Sequence, residues 1–266
     1  MIWNTINPIN SESLRDYVSK AQPFPHFIID NFLETGFAND IHECFPKPSE
    51  VRDYGLSFNT VNEQGKTQVT DSKLFPEPIQ RLNSVLADPE WLTYLSDMMG
   101  LPPLLADSDL LGGGIHQTGP RGRLDVHVDF NYIPSKNLHR RLNILLYFNK
   151  DWRESWGGNI ELWDEKVKTC HHSFSPIFNR CVVFATNDVS YHGVTRVDTP
   201  AGVTRNSFAA YYYTKEAPPE WTGEEHSTIF RARPQEKLKG GVLMPLEGIK
   251  RKTRKRLRKA LARLRG

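Results

Sequence analysis

Apolar side chains recur along this chain with two different periods, and the change between them falls near residue 104. In the first hundred residues they are spaced as on helices. Residues 11–21 (SESLRDYVSKA) predict a short helix capped by Ser11 or Ser13. Residues 33–45 predict a second, stopped before Pro46 because a residue preceding proline is steered out of the α region. Residues 78–87 and 89–99 predict two more, each with proline near its start. Within PFPHFIIDNFL (23–33), residues 26–30 read as a strand. Residues 49–77 are polar and poor in large aliphatics, which predicts a long loop holding at most a short strand. Beyond 104, short apolar stretches alternate with Gly, Pro, Asn and Asp turns. Strands are expected at 110–117, 124–130, 141–148, 159–163, 180–185, 191–197 and 205–214, with Gly157 and Gly158 marking a turn. Many short strands at this spacing argue for a sandwich or barrel rather than a βαβ fold.

Length and charge refine this outline. The 266 residues suffice for one substantial core. The expected organisation is helices, a strand and a lid-like loop over 1–103, a β core over 104–216, a C-terminal extension over 217–249 and a basic tail over 250–266. No run of about 18 apolar residues is present, so no membrane span is expected. The opening MIWNTINPINSESLRD lacks a basic and an apolar signal region, and the three cysteines (Cys44, Cys170, Cys181) are odd in number and widely spaced, so a reducing cytoplasm is the expected home. The net charge of +3 conceals an acidic body: residues 250–266 carry ten Lys or Arg and no acid, and without them the balance is −7. Residues 247–266 read as a helix with Leu257, Leu261 and Leu264 on one stripe. Its partner would be an anionic membrane surface or an acidic protein, the alternative being a solvated tail resting on the acidic body. Nucleic acid is disfavoured, because no aromatic residue is interleaved for base stacking.

The sharpest chemical signal is Leu124-Asp-Val-His-Val-Asp-Phe130. In a strand, side chains at i and i+2 share a face, so His127 and Asp129 project together. Two His and one carboxylate on one side of an ion, with the other positions open, is the pattern of non-haem Fe(II) oxygenases, and His192 in Ser190-Tyr-His-Gly-Val194 is the candidate third ligand. An isolated H-x-D triplet is common, so its neighbours must decide. His171 and His172 are adjacent and face opposite ways, while His26, His42, His139 and His226 have no carboxylate at useful spacing; His116 is a candidate for the same pocket. In 202–214 (GVTRNSFAAYYYT), period two puts Arg205, Ser207, Ala209 and Tyr211 on one face. A guanidinium beside a hydroxyl is suited to gripping a carboxylate, although a surface Arg in a salt bridge has the same sequence signature, and Arg196 is the rival. In 141–148, Asn143, Leu145 and Tyr147 share a face, and a buried Asn and Tyr need partners that a ligand carboxylate or the backbone would supply.

The order HVD (127–129), RLNILLYFN (141–149), GGNIELW (157–163), YHGV (191–194) and TRNSFAAYYYT (204–214) resembles the prolyl-4-hydroxylase-like branch of the Fe(II)/2-oxoglutarate oxygenases. PFPHFIIDNFL resembles the opening segment of that branch, so the likeness spans roughly 23–215. The resemblance implies a mainly β fold with flanking helices: a double-stranded β-helix, a jelly-roll relative of the cupins. It implies iron held by His127, Asp129 and His192, and 2-oxoglutarate held by Arg205 with Tyr147 in support. Ser207 matches an Arg-x-Ser pair of other branches, and Asn143 joins the same group. Fe(II), 2-oxoglutarate and O2 would then hydroxylate an unactivated C–H bond with release of succinate and CO2. The interval from His192 to Arg205 is longer than in many prolyl hydroxylases, which keeps Arg196 in contention. Related halogenases carry a small residue where Asp129 stands, so a carboxylate there favours hydroxylation. Candidate substrate contacts are His116, Gln117, Arg123, Asn131, Tyr132 and Trp156, with Phe130 and Trp152 beside them. The substrate would be a small molecule, a carrier-bound metabolite or a peptidyl residue. The alternatives are a non-catalytic β-helix binding module and a zinc-dependent cupin-like hydrolase.

Overall fold

Thirteen strands form one curled antiparallel sheet backed by helices, in a computed structural model that describes residues 2–236 and 238–244. The helix expected over 247–266, with its membrane or acidic-partner surface, lies outside the described residues. The helices are α1 Ser11–Lys20, α2 Thr35–Cys44, a single turn α3 Pro48–Val51, α4 Glu77–Leu86 and α5 Pro89–Met99. None is long and apolar enough to cross a membrane. The strands are β1 His26–Ile29, β2 Leu56–Phe58, β3 Glu63–Val69, β4 Leu105–Ala106, β5 Gly114–Val128, β6 Tyr132–Ile133 and β7 Leu138–Tyr147, then β8 Ile160–Trp163, β9 Cys170–Phe174, β10 Arg180–Ala185, β11 His192–Val194, β12 Arg205–Thr214 and β13 Ile229–Arg231.

The main path runs β1-β10-β7-β12-β5-β11-β8-β9. It curls so that Tyr147, Val182 and Phe184 from one wall share an apolar cluster with Ile160, Leu162 and Val194 from the other. This is the jelly-roll that the resemblance implies. Period two sorts the major wall: Leu142, Ile144 and Leu146 of β7 and Phe208, Ala210 and Tyr212 of β12 join Phe37, Ile41, Ile79, Leu82, Trp91 and Leu95 of the helices in the largest core cluster. The alternate residues face the inside of the curl. Trp91 donates from Nε1 to the Tyr212 hydroxyl at 3.1 Å, which in turn donates to the Leu86 carbonyl at 3.0 Å. Burying each large side chain of this kind is worth about 1.5–3 kcal/mol, so α2, α4 and α5 brace the sheet that carries the site.

Four expectations need correction. The cap of α1 is Asn10, whose side chain accepts from the Ser13 amide, rather than Ser11 or Ser13. The strands expected at 110–117 and 124–130 are one strand, β5, running through Gly119-Pro-Arg-Gly122, and it starts late because the Asp107 carboxylate holds 107–111 in a turn through the amides of Asp109 and Leu111. The stretch 49–77 is more than a loop: β2 and β3 form a hairpin that pairs along β5. Strand β9 was not expected at all. The C-terminal extension also returns to the sheet, since β13 pairs with β5 and sets Phe230 opposite His127.

Candidate active site

Strands β5 and β11 meet at an irregular register. His192 lies opposite His127 and Val194 opposite Leu124, so three steps along β5 match two along β11. Asp125 and Val126 therefore form a β-bulge across from Gly193. In an unbroken strand, Leu124 and His127 would face opposite ways; the extra residue turns both into the curl. Leu124 joins the apolar interior and His127 faces His192, with ring centroids 4.3 Å apart. Asp129, two residues on, follows His127: its carboxylate oxygens are 3.6 Å from His127 Nε2 and 3.5 Å from His192 Nε2. One donor atom from each residue falls within 4.8 Å of the others.

What surrounds the three groups prepares them as ligands. His127 Nδ1 lies 2.8 Å from the Asp125 carbonyl and His192 Nδ1 lies 3.0 Å from the Ser190 carbonyl. A carbonyl can only accept, so each Nδ1 carries a proton and Nε2 is the ring nitrogen left facing Asp129. Burial, followed by the neighbouring His127, pushes the His192 imidazole down to about 3, which keeps it neutral. Burial alone would raise the Asp129 carboxyl, but the adjacent Arg140 charge outweighs it and holds it well below the usual carboxylate range. Asp129 Oδ2 accepts from Asn143 Nδ2 at 2.8 Å and pairs with Arg140 at 2.9 Å. Asn143 in turn accepts from Arg140, whose guanidinium lies over the rings of Tyr211 and Phe130. Two neutral imidazoles and one ionised carboxylate are what a divalent metal requires.

The same cleft holds a cation without a counter-charge. Arg205 is buried, and no carboxylate among the described residues pairs with it. Its Nε donates to the Gly158 carbonyl at 2.6 Å, Nη2 to the Tyr147 hydroxyl at 3.1 Å and Nη1 to Ser207 Oγ at 3.4 Å, all neutral acceptors. The turn at Gly157 and Gly158 makes room for it: Gly158 sits at φ +71°, and a Cβ there would lie 3.0 Å from Arg205 Cδ. Burial lowers the guanidinium pKa, the direction expected of a charge awaiting a partner. Arg196, the rival, is half-exposed and paired with Asp198 at 2.8 Å.

Residues 113–213 match the model of the 2OG-Fe(II) oxygenase superfamily. That stretch of the chain, about the β core, is similar to the members of that superfamily. Its members use Fe(II), 2-oxoglutarate and O2. No curated protein matches the sequence. Among solved structures, this chain is similar to a prolyl hydroxylase from Trichoplax adhaerens in complex with a hypoxia inducible factor peptide (16% identity, 76% of this chain and 88% of that one, TM-score 0.56). It is similar to a Pseudomonas putida prolyl-4-hydroxylase (13% identity, 76% and 98%, TM-score 0.55). HygX from Streptomyces hygroscopicus, with nickel and 2-oxoglutarate bound, also shares the fold (13% identity, 81% and 89%, TM-score 0.50).

The remaining candidates divide between the cleft and its exterior. His116 and Arg123 line the cleft. His116 Nε2 lies 3.0 Å from the Gly112 carbonyl, which leaves Nδ1 as an acceptor; burial and the nearby Lys66 hold its pKa well below the ordinary histidine range. Gln117 points the other way, as its odd position on β5 dictates, and donates to the Pro46 carbonyl at 2.6 Å. Asn131 staples the C-terminal extension, accepting from the His226 amide and donating to the Glu224 carbonyl. The Tyr132 ring packs on His139 and Trp221, and Trp156 packs edge-on against Trp152, so none of these lines the cleft. Asn143 lines the cleft while donating to Asp129 and accepting from Arg140. Residues that sequence reasoning missed include Arg140, paired with Asp129, and Lys66, Ile160 and Phe184 of the cleft lining. Arg140 had a signal: it shares a face with Leu142, but a bulge in the β7–β12 register between Tyr212 and Tyr213 breaks that phase.

Proposed function

We propose that this oxygenase hydroxylates an unactivated C–H bond while 2-oxoglutarate is converted to succinate and CO2: RH, 2-oxoglutarate and O2 give ROH, succinate and CO2. The carrying observation is that two imidazoles and a carboxylate clustered as metal donors and an uncompensated buried guanidinium open into one cleft. His127, Asp129 and His192 would hold Fe(II), and the donor chemistry fits it: two imidazoles and a carboxylate on one side, the other side open. Arg205, steadied by Tyr147 and Ser207, would grip the far carboxylate of 2-oxoglutarate. Bound Fe(II) supplies the oxygen-activating chemistry; the protein's part is positioning and exclusion of water.

The chain's own groups divide that work. Asp129 brings the negative charge, kept ionised by Arg140 and oriented by Asn143. Leu145, Ile160, Phe184 and Val194 give the cleft dry walls between the metal donors and Arg205. His116, Lys66, Arg123 and Tyr211 leave polar groups for a substrate. A small-molecule, carrier-bound or peptidyl substrate remains in view; the fold shared with a prolyl hydroxylase solved with a peptide supports the last.

The test is succinate formation from 2-oxoglutarate with Fe(II), run against a panel of small molecules and peptides. Fe(II)-dependent succinate is the expected result; activity with zinc alone and no succinate would replace the oxygenase reading by a hydrolase. In the same assay Arg196→Ala is expected to leave the 2-oxoglutarate KM within about twofold, because exposed ion pairs contribute roughly 0–1 kcal/mol. A tenfold rise would return Arg196 to contention.

A further inference from the structure

The C-terminal extension places one charged side chain against the back of the metal centre. Arg233, two residues past β13, is buried, and its guanidinium reaches three strands at once. Nε and Nη2 donate to Glu161 Oε2 of β8 at 2.9 and 2.7 Å. Nη2 also donates to the Val194 carbonyl of β11 at 3.2 Å and the Leu124 carbonyl of β5 at 3.4 Å. Those two carbonyls belong to the register pair that closes the bulge between the histidine-bearing strands. Nη1 lies 3.8 Å from Asp125 Oδ1, on the bulged residue whose carbonyl orients His127. Lys239 anchors the same carboxylate and bonds Glu236 at 3.1 Å. Gly193, across from the bulge, leaves the space: a Cβ there would meet Arg233 Nη2 at 3.1 Å and the Val126 backbone at 3.2 Å.

A bulge interrupts the ladder at the point where the two strands must hold His127 and His192 at a fixed separation. A planar fork can bridge two carbonyls and a carboxylate together; an ammonium cannot reproduce that geometry. We propose that Arg233 is a positioning residue of the metal centre, fixing the bulge that aims His127 at His192, so that the C-terminal extension is part of the iron site. This rests on the metal-binding reading above. Arg233 touches neither metal nor substrate; it acts through the backbone that carries the ligands.

The test measures Ni(II), an oxygen-inert stand-in, by titration calorimetry on the full-length chain, with 2-oxoglutarate binding measured separately at saturating metal. Arg233→Ala and Arg233→Lys are both expected to weaken Ni(II) about tenfold or more, the scale of outer-layer effects on metal sites. The 2-oxoglutarate affinity of the metal-loaded proteins should stay within about twofold. The lysine variant keeps the charge beside Glu161 and Asp125 and so retains the fold even where the alanine variant does not. Wild-type Ni(II) affinity in Arg233→Lys overturns the proposal, whatever its melting temperature, because charge without the fork would then suffice. A wild-type chain that binds no Ni(II) sinks the metal-binding reading instead.

Discussion

Asp129→Ala is expected to cut Fe(II)-dependent 2-oxoglutarate turnover by at least ~10³-fold, a loss of about 4 kcal/mol at the transition state, and to destabilise the fold as well. The two effects have separate causes. Turnover falls because the only carboxylate of the donor set is gone, and two imidazoles alone leave a divalent ion under-coordinated and uncompensated. Stability falls because Arg140 is buried and pairs with Asp129 at 2.9 Å. Stripping one partner from a buried pair costs about 3–5 kcal/mol. Asn143 can still accept from Arg140, but a neutral amide does not cancel its charge. The double variant Asp129→Ala/Arg140→Met separates the causes: urea denaturation should show most of the stability restored, while metal binding and turnover stay absent. If the double variant recovers turnover, Asp129 is not a ligand and its conspicuous ion pair is only structural.

How far the sequence disclosed this site depends on what each residue faces. Period two placed Asn143, Leu145 and Tyr147 on one face of β7 and Arg205, Ser207 and Tyr211 on one face of β12, and the structure has them there because those strands have apolar alternates to mark the phase. Strand β3 gave no such mark. Its EQGKTQV is polar on both sides, since one face meets solvent and the other meets a polar cleft through Lys66, so hydropathy alone could not distinguish it from a loop. Strand β9, CHHSF, is half-buried and equally silent. In β5, Gly119-Pro-Arg-Gly122 looks like a turn, and only pairing with β3 and β12 carries the strand through it. Asn143 illustrates a different limit. The need for a partner was legible, but the partner was another protein carboxylate, 14 residues away in sequence and fixed only by tertiary folding. Arg233 was beyond reach for the same reason, since its role depends on a bulge that no local pattern announces.

Arg205→Met should raise the KM for 2-oxoglutarate by roughly 10²–10³-fold, since removing one partner of a buried charge pair costs about 2–5 kcal/mol. The split between constants is as informative as the size. The guanidinium would hold the end of the co-substrate remote from the metal donors, an interaction equal in ground and transition states, so KM should carry most of the change and kcat little. The ligand-free protein should behave oppositely to an ordinary core lesion. Among the described residues, Arg205 is a buried charge satisfied by the Gly158 carbonyl, the Tyr147 hydroxyl and Ser207, all neutral, and removing it relieves that burial. Its thermal midpoint should therefore be unchanged or higher. Saturating 2-oxoglutarate with Ni(II) should raise the wild-type midpoint, a linkage worth about 2.7 kcal/mol at one hundred times Kd, and should fail to raise that of the variant beyond the effect of Ni(II) alone. Arg205→Lys restores charge without the planar fork and should recover only part of the affinity. An unchanged KM in Arg205→Met, with the ligand-dependent thermal shift intact, would mean the co-substrate's far carboxylate is held elsewhere, and Lys66 would then be the remaining cation in the cleft to examine beside Arg123.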